Sequence, residues 1–161
     1  MNLTKRTELY RIPDRGSHDW ATINQILDAG FLAHVGFCLD SQPFVIPTLY
    51  GRDGEKLYFH GSAASRMLRD LETGIPTCVT VTLVDGLVLS RAAFDHSMNY
   101  RLVVAFRRAR KISDLEQKIN SLRVISELKA ITVLEFPIEE ASSKVRSRLS
   151  LDDERDYRLP L

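Results

Sequence analysis

Apolar positions along this chain change their period several times. Over residues 18–29, Ile23, Ile26 and Leu27 recur at helical spacing, Ser17 or Asp19 is suited to cap the start, and Gly30 stands where a helix commonly stops. The apolar residues then fall into extended stretches. Segments 31–39 and 43–50 read as strands joined by a turn at Asp40-Ser41-Gln42, and Pro47, which has no amide to donate, requires an edge or a bulge. Arg52-Asp53-Gly54 reads as a hairpin turn into a strand over 56–60. Gly61-Ser62 opens a short helix over 63–71 that ends near Gly74. A Val- and Thr-rich strand follows over 77–84, and a second Asp-Gly turn, Asp85-Gly86, hands it to a partner over 87–92. A long strand over 100–111 precedes an amphipathic helix over 114–127, with Leu115, Ile119, Leu122 and Ile125 on one face. A last strand over 129–138, a short helix over 139–148 and a charged tail from Ser150 along the surface complete the expectation.

Antiparallel strands linked by hairpins, with one inserted helix and helices at the ends, predict a mainly β domain closed as a small barrel. A doubly wound α/β sheet is disfavoured, because two hairpins have no helix between their strands. The 161 residues suit a single domain over 1–161, large enough to hold together without disulfide or metal.

Hydrophobic residues make up 44% and charged residues 27%, and 22 basic against 21 acidic residues leave a net charge of +1. That balance argues against nucleic-acid binding, which needs a concentrated basic footprint. Arg107, Arg108, Arg110 and Lys111 form a local cluster, read as a solvated strand end or, alternatively, a nucleic-acid contact. Cys38 and Cys78 lie far apart in apolar runs and read as small buried hydrophobes in a reducing, cytoplasmic setting. The first residues lack the apolar core of a signal peptide, and no apolar run reaches membrane-spanning length.

Three stretches carry candidate chemistry. His60-Gly61-Ser62-Ala63-Ala64-Ser65-Arg66 leaves a strand and enters a helix, where open amides, two hydroxyls and a guanidinium suit a phosphate. The plainer reading makes Ser62 an N-cap and Arg66 a surface charge. Phe94-Asp95-His96-Ser97-Met98-Asn99-Tyr100-Arg101 crowds polar and aromatic groups before an apolar strand. Asn99 can pair with a heterocycle, Tyr100 can stack on it and His96 can exchange a proton near neutral pH, or the stretch is a polar connection. In 139–146, Lys144 and Arg146 either suit the end of a short helix or contact a phosphate or a partner subunit. His34 reads as a satisfied core histidine. No histidine spacing supports a metal site, and there is no P-loop, G-x-G-x-x-G or G-x-S-x-G. No catalytic residue is identifiable.

Five blocks occur in order: Ile46-Pro47-Thr48-Leu49-Tyr50, the segments 60–66 and 84–91, His96-Ser97-Met98-Asn99-Tyr100-Arg101, and the segment 140–146. Together they resemble the pyridoxamine 5′-phosphate oxidase-related split-barrel family, and within it the flavin-nucleotide-binding branch that includes nitroimidazole-resistance proteins. The likeness runs from about Arg11 to Asp156. It implies a six-stranded split barrel and a homodimer with FMN in grooves at the subunit interface, FAD or haem being the lesser alternatives. It also implies a phosphate at His60, Gly61, Ser62, Ser65 and Arg66. The flavin ring is implied along Val45, Ile46, Pro47 and Thr48, in a pocket completed by His96, Ser97, Asn99 and Tyr100, with Lys144 and Arg146 near the site. The implied function is an FMN-dependent oxidoreductase using NAD(P)H and a small electron acceptor. The alternative is a non-catalytic flavin or haem carrier or sensor. Relatives usually carry a longer loop after the helix over 114–127 and a Trp-containing segment near the end, whereas the single Trp here is Trp20.

Overall fold

The computed structural model describes residues 4–10, 12–90, 95–125 and 131–148. A 3-10 turn at Pro13–Arg15 leads into β1 (Gly16–Ser17) and then α1 (Trp20–Ala29). Asp19 caps α1 by accepting the Thr22 amide at 2.9 Å, and that bond holds its carboxyl below the usual range. The helical period puts Ile23, Ile26 and Leu27 on the buried face.

Strands β2 (Leu32–Leu39) and β3 (Gln42–Leu49) form a hairpin whose two turn residues, Asp40 and Ser41, both have positive φ. Strand β4 (Gly51–Asp53) pairs with β5 (Lys56–Ser62) across a turn at Gly54-Glu55, where Gly54 takes φ 55°. After α2 (Arg66–Glu72), β6 (Pro76–Val88) and β7 (Ser97–Arg108) make a long antiparallel pair. Strand β8 (Arg110–Lys111), α3 (Leu115–Ile125), β9 (Ile131–Pro137) and β10 (Glu140–Arg146) complete the order.

The strands form two antiparallel sheets, ordered β1-β10-β7-β6-β2-β3 and β4-β5-β9-β8. This is a mainly β fold with few helices, consistent with a split barrel. The expected closure is not met, because the pairing among the described residues leaves two sheets with separate edges. Both sheets, α1 and α2 feed one core, including Val35, Val79 and Val103 from the larger sheet and Leu57, Phe59 and Phe136 from the smaller. Phe59 meets Phe136 edge-on at 6.3 Å between ring centres. A side cluster of Tyr58, Ile112 and Val133 lies on the other face of the smaller sheet.

Several expectations are corrected. Asp85-Gly86 is not a turn, since β6 runs through it with a bulge between Val84 and Gly86, and Gly86 does not adopt positive φ. Instead the Asp85 carboxylate accepts Arg101 Nη2 at 2.7 Å and Nε at 2.9 Å from the adjacent strand, which absorbs the extra residue. The helix expected over 139–148 is strand β10, because the open edge of β7 offers a full ladder from Glu140↔Phe106 to Arg146↔Tyr100. Strand alternation puts His34 on the exposed outer face of β2, so it is not a core histidine. Cys38, on the same face, is exposed, and Cys78 is half-buried. The expected Arg107–Lys111 strand end is fully engaged. Arg107 pairs with Glu139, Arg108 with the Gly74 carbonyl, Arg110 with Glu135 and Lys111 with Glu72. The expectations for 91–92, 126–130 and the tail from Ser150 lie outside the described residues. No helix among the described residues is long and apolar enough to cross a membrane.

Candidate functional site

Among the described residues strand β3 is an edge strand, which accommodates Pro47 and leaves one side of its backbone without a ladder partner there. Its alternation turns Phe44 and Ile46 toward the core and Val45, Pro47 and Leu49 outward, with Val45 67% exposed. The Arg66 guanidinium lies over the Phe44 ring at 4.6 Å from its centre, which brings the 62–66 turn beside β3. Arg66 remains largely exposed, and its one ion pair among the described residues is a long one, 3.7 Å, with Asp70. Its planar fork is therefore available to an oxyanion.

The turn itself differs from the expectation. Gly61 and Ser62 belong to β5, and α2 begins only at Arg66, with Ser65 as N-cap accepting the Leu68 amide. Ser62 Oγ accepts the Ala64 amide at 3.1 Å, and the Ser65 amide bonds the Ser62 carbonyl at 2.8 Å. The helix has seven residues, so its dipole adds less than a long helix would, and Arg66 supplies the main positive charge. A Cβ at Gly61 would meet Leu68 Cδ1 at 3.1 Å, a close contact that the end of that side chain would have to relieve by a few tenths of an ångström. Alternation along β5 places His60 with Tyr58 on the face away from the main core.

The remaining expected residues gather elsewhere. His96, Ser97, Tyr100, Lys144 and Arg146 line one cavity of about 540 Å³, together with Arg15, Met98 and Leu87. The β7–β10 pairing creates this neighbourhood by setting Arg146 opposite Tyr100. Arg146 Nη1 donates to the Met98 carbonyl at 2.7 Å. Nε2 of His96 lies 2.8 Å from the Ser90 carbonyl. A carbonyl only accepts, so Nε2 carries the proton and neutral His96 presents Nδ1 as an acceptor. Asn99 is partly committed, for its Nδ2 donates to the Arg148 carbonyl and its Oδ1 accepts the Arg148 amide, both at 2.9 Å. One donor and one acceptor lone pair of that amide remain.

The expected residues thus form two groups that one chain does not join. Val45–Thr48 and Ser62–Arg66 lie at the β3 end of the larger sheet. His96–Tyr100, Lys144 and Arg146 lie at the β7–β10 end, three to four strands away in sheet order. The outer face of the sheet between them carries exposed Leu32, Val45, Leu49 and Val84.

Sequence reasoning missed two features. Arg15 belongs to the second group, but nothing in the sequence near it announces a ligand. A further cavity of about 470 Å³ is lined by Gly36, Cys38, Cys78 and Phe106 together with Arg6 and Glu140. Burial pushes the Cys78 thiol up, so it is a weak nucleophile near neutral pH. No group of residues that could hold a metal ion occurs among the described residues.

The sequence profile of pyridoxamine 5′-phosphate oxidase matches residues 19–145. No curated protein matches the chain. Among solved structures, the flavocytochrome Anf3 from Azotobacter vinelandii is 38% identical, with a TM-score of 0.85 over 98% of this chain and 81% of that one. The FAD and haem binding protein from Mycobacterium smegmatis is 28% identical, with a TM-score of 0.80 over 89% of this chain and 78% of that one. A candidate 5-nitroimidazole antibiotic resistance protein from Bacteroides thetaiotaomicron, 22% identical with a TM-score of 0.65 over 81% of this chain and 86% of that one, shares the fold. The matched span covers the candidate residues from Val45 to Lys144 and most of both sheets, and on that ground the chain belongs to the pyridoxamine 5′-phosphate oxidase family.

Proposed function

We propose that this protein binds a flavin nucleotide, FMN in the first instance, and acts as an oxidoreductase taking electrons from NAD(P)H to a small acceptor. The observation that carries this reading is the exposed Arg66 fork, held over Phe44 beside the unpaired edge of β3, in a chain of this family. The residues fit such a group. Ser62, Ser65 and Arg66 offer two hydroxyls and a guanidinium to a phosphate, and the β3 backbone from Val45 to Thr48 offers hydrogen-bonding groups to the polar edge of a ring. A bound flavin supplies two-electron redox chemistry, and the protein supplies position and electrostatics. His96 Nδ1 and the Tyr100 hydroxyl are the groups in the second cluster able to hold or move a proton.

Two copies are part of this proposal. One chain holds its two groups apart, and the apolar outer face of the larger sheet suits a second copy. Such a dimer would bring Lys144 and Arg146 of one copy toward Arg66 of the other.

The test is direct. Purified protein should show an oxidised-flavin spectrum that NADH or NADPH bleaches. Arg66→Ala should weaken FMN binding by about 1.5–3 kcal/mol, the range for a charge-assisted hydrogen bond, which is roughly ten- to a hundredfold in affinity. Unchanged affinity sinks the phosphate assignment. A second reading, a haem- or flavin-carrying module without turnover, is favoured by the names of the flavocytochrome and of the FAD and haem binding protein. A Soret band, or a flavin that no nicotinamide nucleotide bleaches, selects it.

A further inference from the structure

A long, exposed arginine gives up rotamer freedom when its ligand is what fixes it, so a fork held in place beforehand binds more tightly. Two neighbours of Arg66 are placed to hold it. The first is Asp70, one turn further along α2, whose Oδ2 lies 3.7 Å from Arg66 Nε, beyond hydrogen-bond length. That oxygen is buried and has no hydrogen-bond partner among the described residues. A carboxylate that reaches no N–H of the guanidinium attracts the charge without fixing the plane of the group. The second neighbour is Phe44. The guanidinium carbon of Arg66 lies over its ring at 4.6 Å from the centre, where the negative face of the ring holds a cation. Phe44 is itself braced. It stands opposite Phe37 in the β2–β3 ladder, and the two rings stack with centres 5.4 Å apart and planes 18° apart. Phe37 is buried and belongs to the main core. A line of contacts therefore runs from the core through Phe37 and Phe44 to the largely exposed Arg66 fork.

We propose that Phe44 is the positioning residue of the phosphate site: its ring, braced by Phe37, presets Arg66 and so gives the protein a preference for a phosphorylated flavin over the bare ring system. The inference rests on the reading that Arg66 holds the flavin phosphate. It gives Asp70 no part in the grip, because the ion pair is too long to orient the fork.

The test titrates the full chain, freed of bound flavin, with FMN and with riboflavin, which has the same ring and no phosphate. Phe44→Leu keeps apolar bulk on β3 and removes the ring face. It should bind FMN about two- to fivefold more weakly, the range for a cation–π contact at an exposed site, and riboflavin as wild type does. Phe44→Tyr restores the ring face and should restore FMN affinity. In an Arg66→Ala background Phe44→Leu should cause no further loss, which reads the coupling even where riboflavin binds too weakly to titrate. Asp70→Asn should not weaken FMN binding. Equal losses for both flavins, no loss for FMN, no recovery in Phe44→Tyr, additive losses in the double variant, or an equal loss in Asp70→Asn overturns the proposal. Should Phe44→Leu fail to fold, proton NMR of the wild-type protein decides: the ring current of Phe44 should shift the Arg66 side-chain protons upfield, and unshifted resonances overturn the proposal. Arg66→Ala alone separates the two readings. If it leaves FMN binding intact, the phosphate assignment fails. If it weakens FMN binding while Phe44→Leu does not, only the role of Phe44 fails.

Discussion

Removing the Tyr50 hydroxyl should leave the fold intact but take away a measured part of its stability and of its response to alkali. Tyr50 follows the edge strand β3 and is 7% exposed. Its hydroxyl donates to the Leu27 carbonyl at 2.6 Å, in the last turn of α1, where helix carbonyls lack internal partners. Tyr50→Phe loses that bond and leaves a buried carbonyl unsatisfied, a cost of about 1–3 kcal/mol near neutral pH. For a chain of this size that lowers Tm by roughly 2–10 °C. Burial, with a smaller contribution from the Asp28 charge, pushes the Tyr50 phenol up to about 12 from 10.0. The folded value lies above the unfolded one, so this stabilisation is complete below pH 10 and is lost as pH rises toward 12. By linkage the wild-type advantage over Tyr50→Phe should shrink by about 1.4 kcal/mol between pH 8 and pH 11. The assay is urea unfolding of both proteins, followed by circular dichroism across that range. A difference that stays constant with pH, or a Phe variant as stable as wild type at pH 8, refutes the reasoning.

Other expectations follow from neighbouring contacts. Gly30→Ala should destabilise by about 1–3 kcal/mol, because the new Cβ would meet the Tyr50 hydroxyl at 2.8 Å and Val81 Cγ1 at 2.9 Å. The Gly30→Ala, Tyr50→Phe double variant should cost less than the two singles added, as a thermal-unfolding cycle would read, and strict additivity would place the clash elsewhere. Glu135 is 5% exposed and ties three adjacent strands, meeting Lys56 on β5 at 3.1 Å and Arg110 on β8 through two guanidinium nitrogens. Arg110 is largely exposed and Lys56 partly so, and both rehydrate when released, so Glu135→Gln should cost only about 1–3 kcal/mol in chemical denaturation. Because the carboxylate is buried, most of that cost should persist in 1 M salt, and its disappearance there would mean a screened surface pair.

Much of the fold was legible from local pattern. Helix α1 was marked by its apolar period, its Asp19 cap and Gly30. The β2–β3 hairpin was marked by the turn residues Asp40-Ser41-Gln42, and Pro47 required an edge or a bulge, of which the structure has the edge. In each case the deciding interaction lies within a few residues. Where the sequence misled, the deciding partner came from a distant strand. Asp85-Gly86 carries a turn signature, yet β7 runs far enough alongside to keep β6 extended, and Arg101 takes up the Asp85 carboxylate. Residues 139–146 have a helix-like charge order, yet the open edge of β7 satisfies their backbone as strand β10.

The candidate residues show the same division. Their types and order along the chain were readable, because hydroxyls, guanidinium groups and an edge proline carry their chemistry locally. Their grouping was not. Strand order alone separates Arg66 and β3 from His96, Lys144 and Arg146, and it brings Arg15, unremarkable in sequence, beside Lys144 through the β1–β10 pairing. A linear chain encodes which groups are present. Which of them share a solvent-shielded space is set by long-range ladder pairing and core packing, and those exist only once the sheets have assembled.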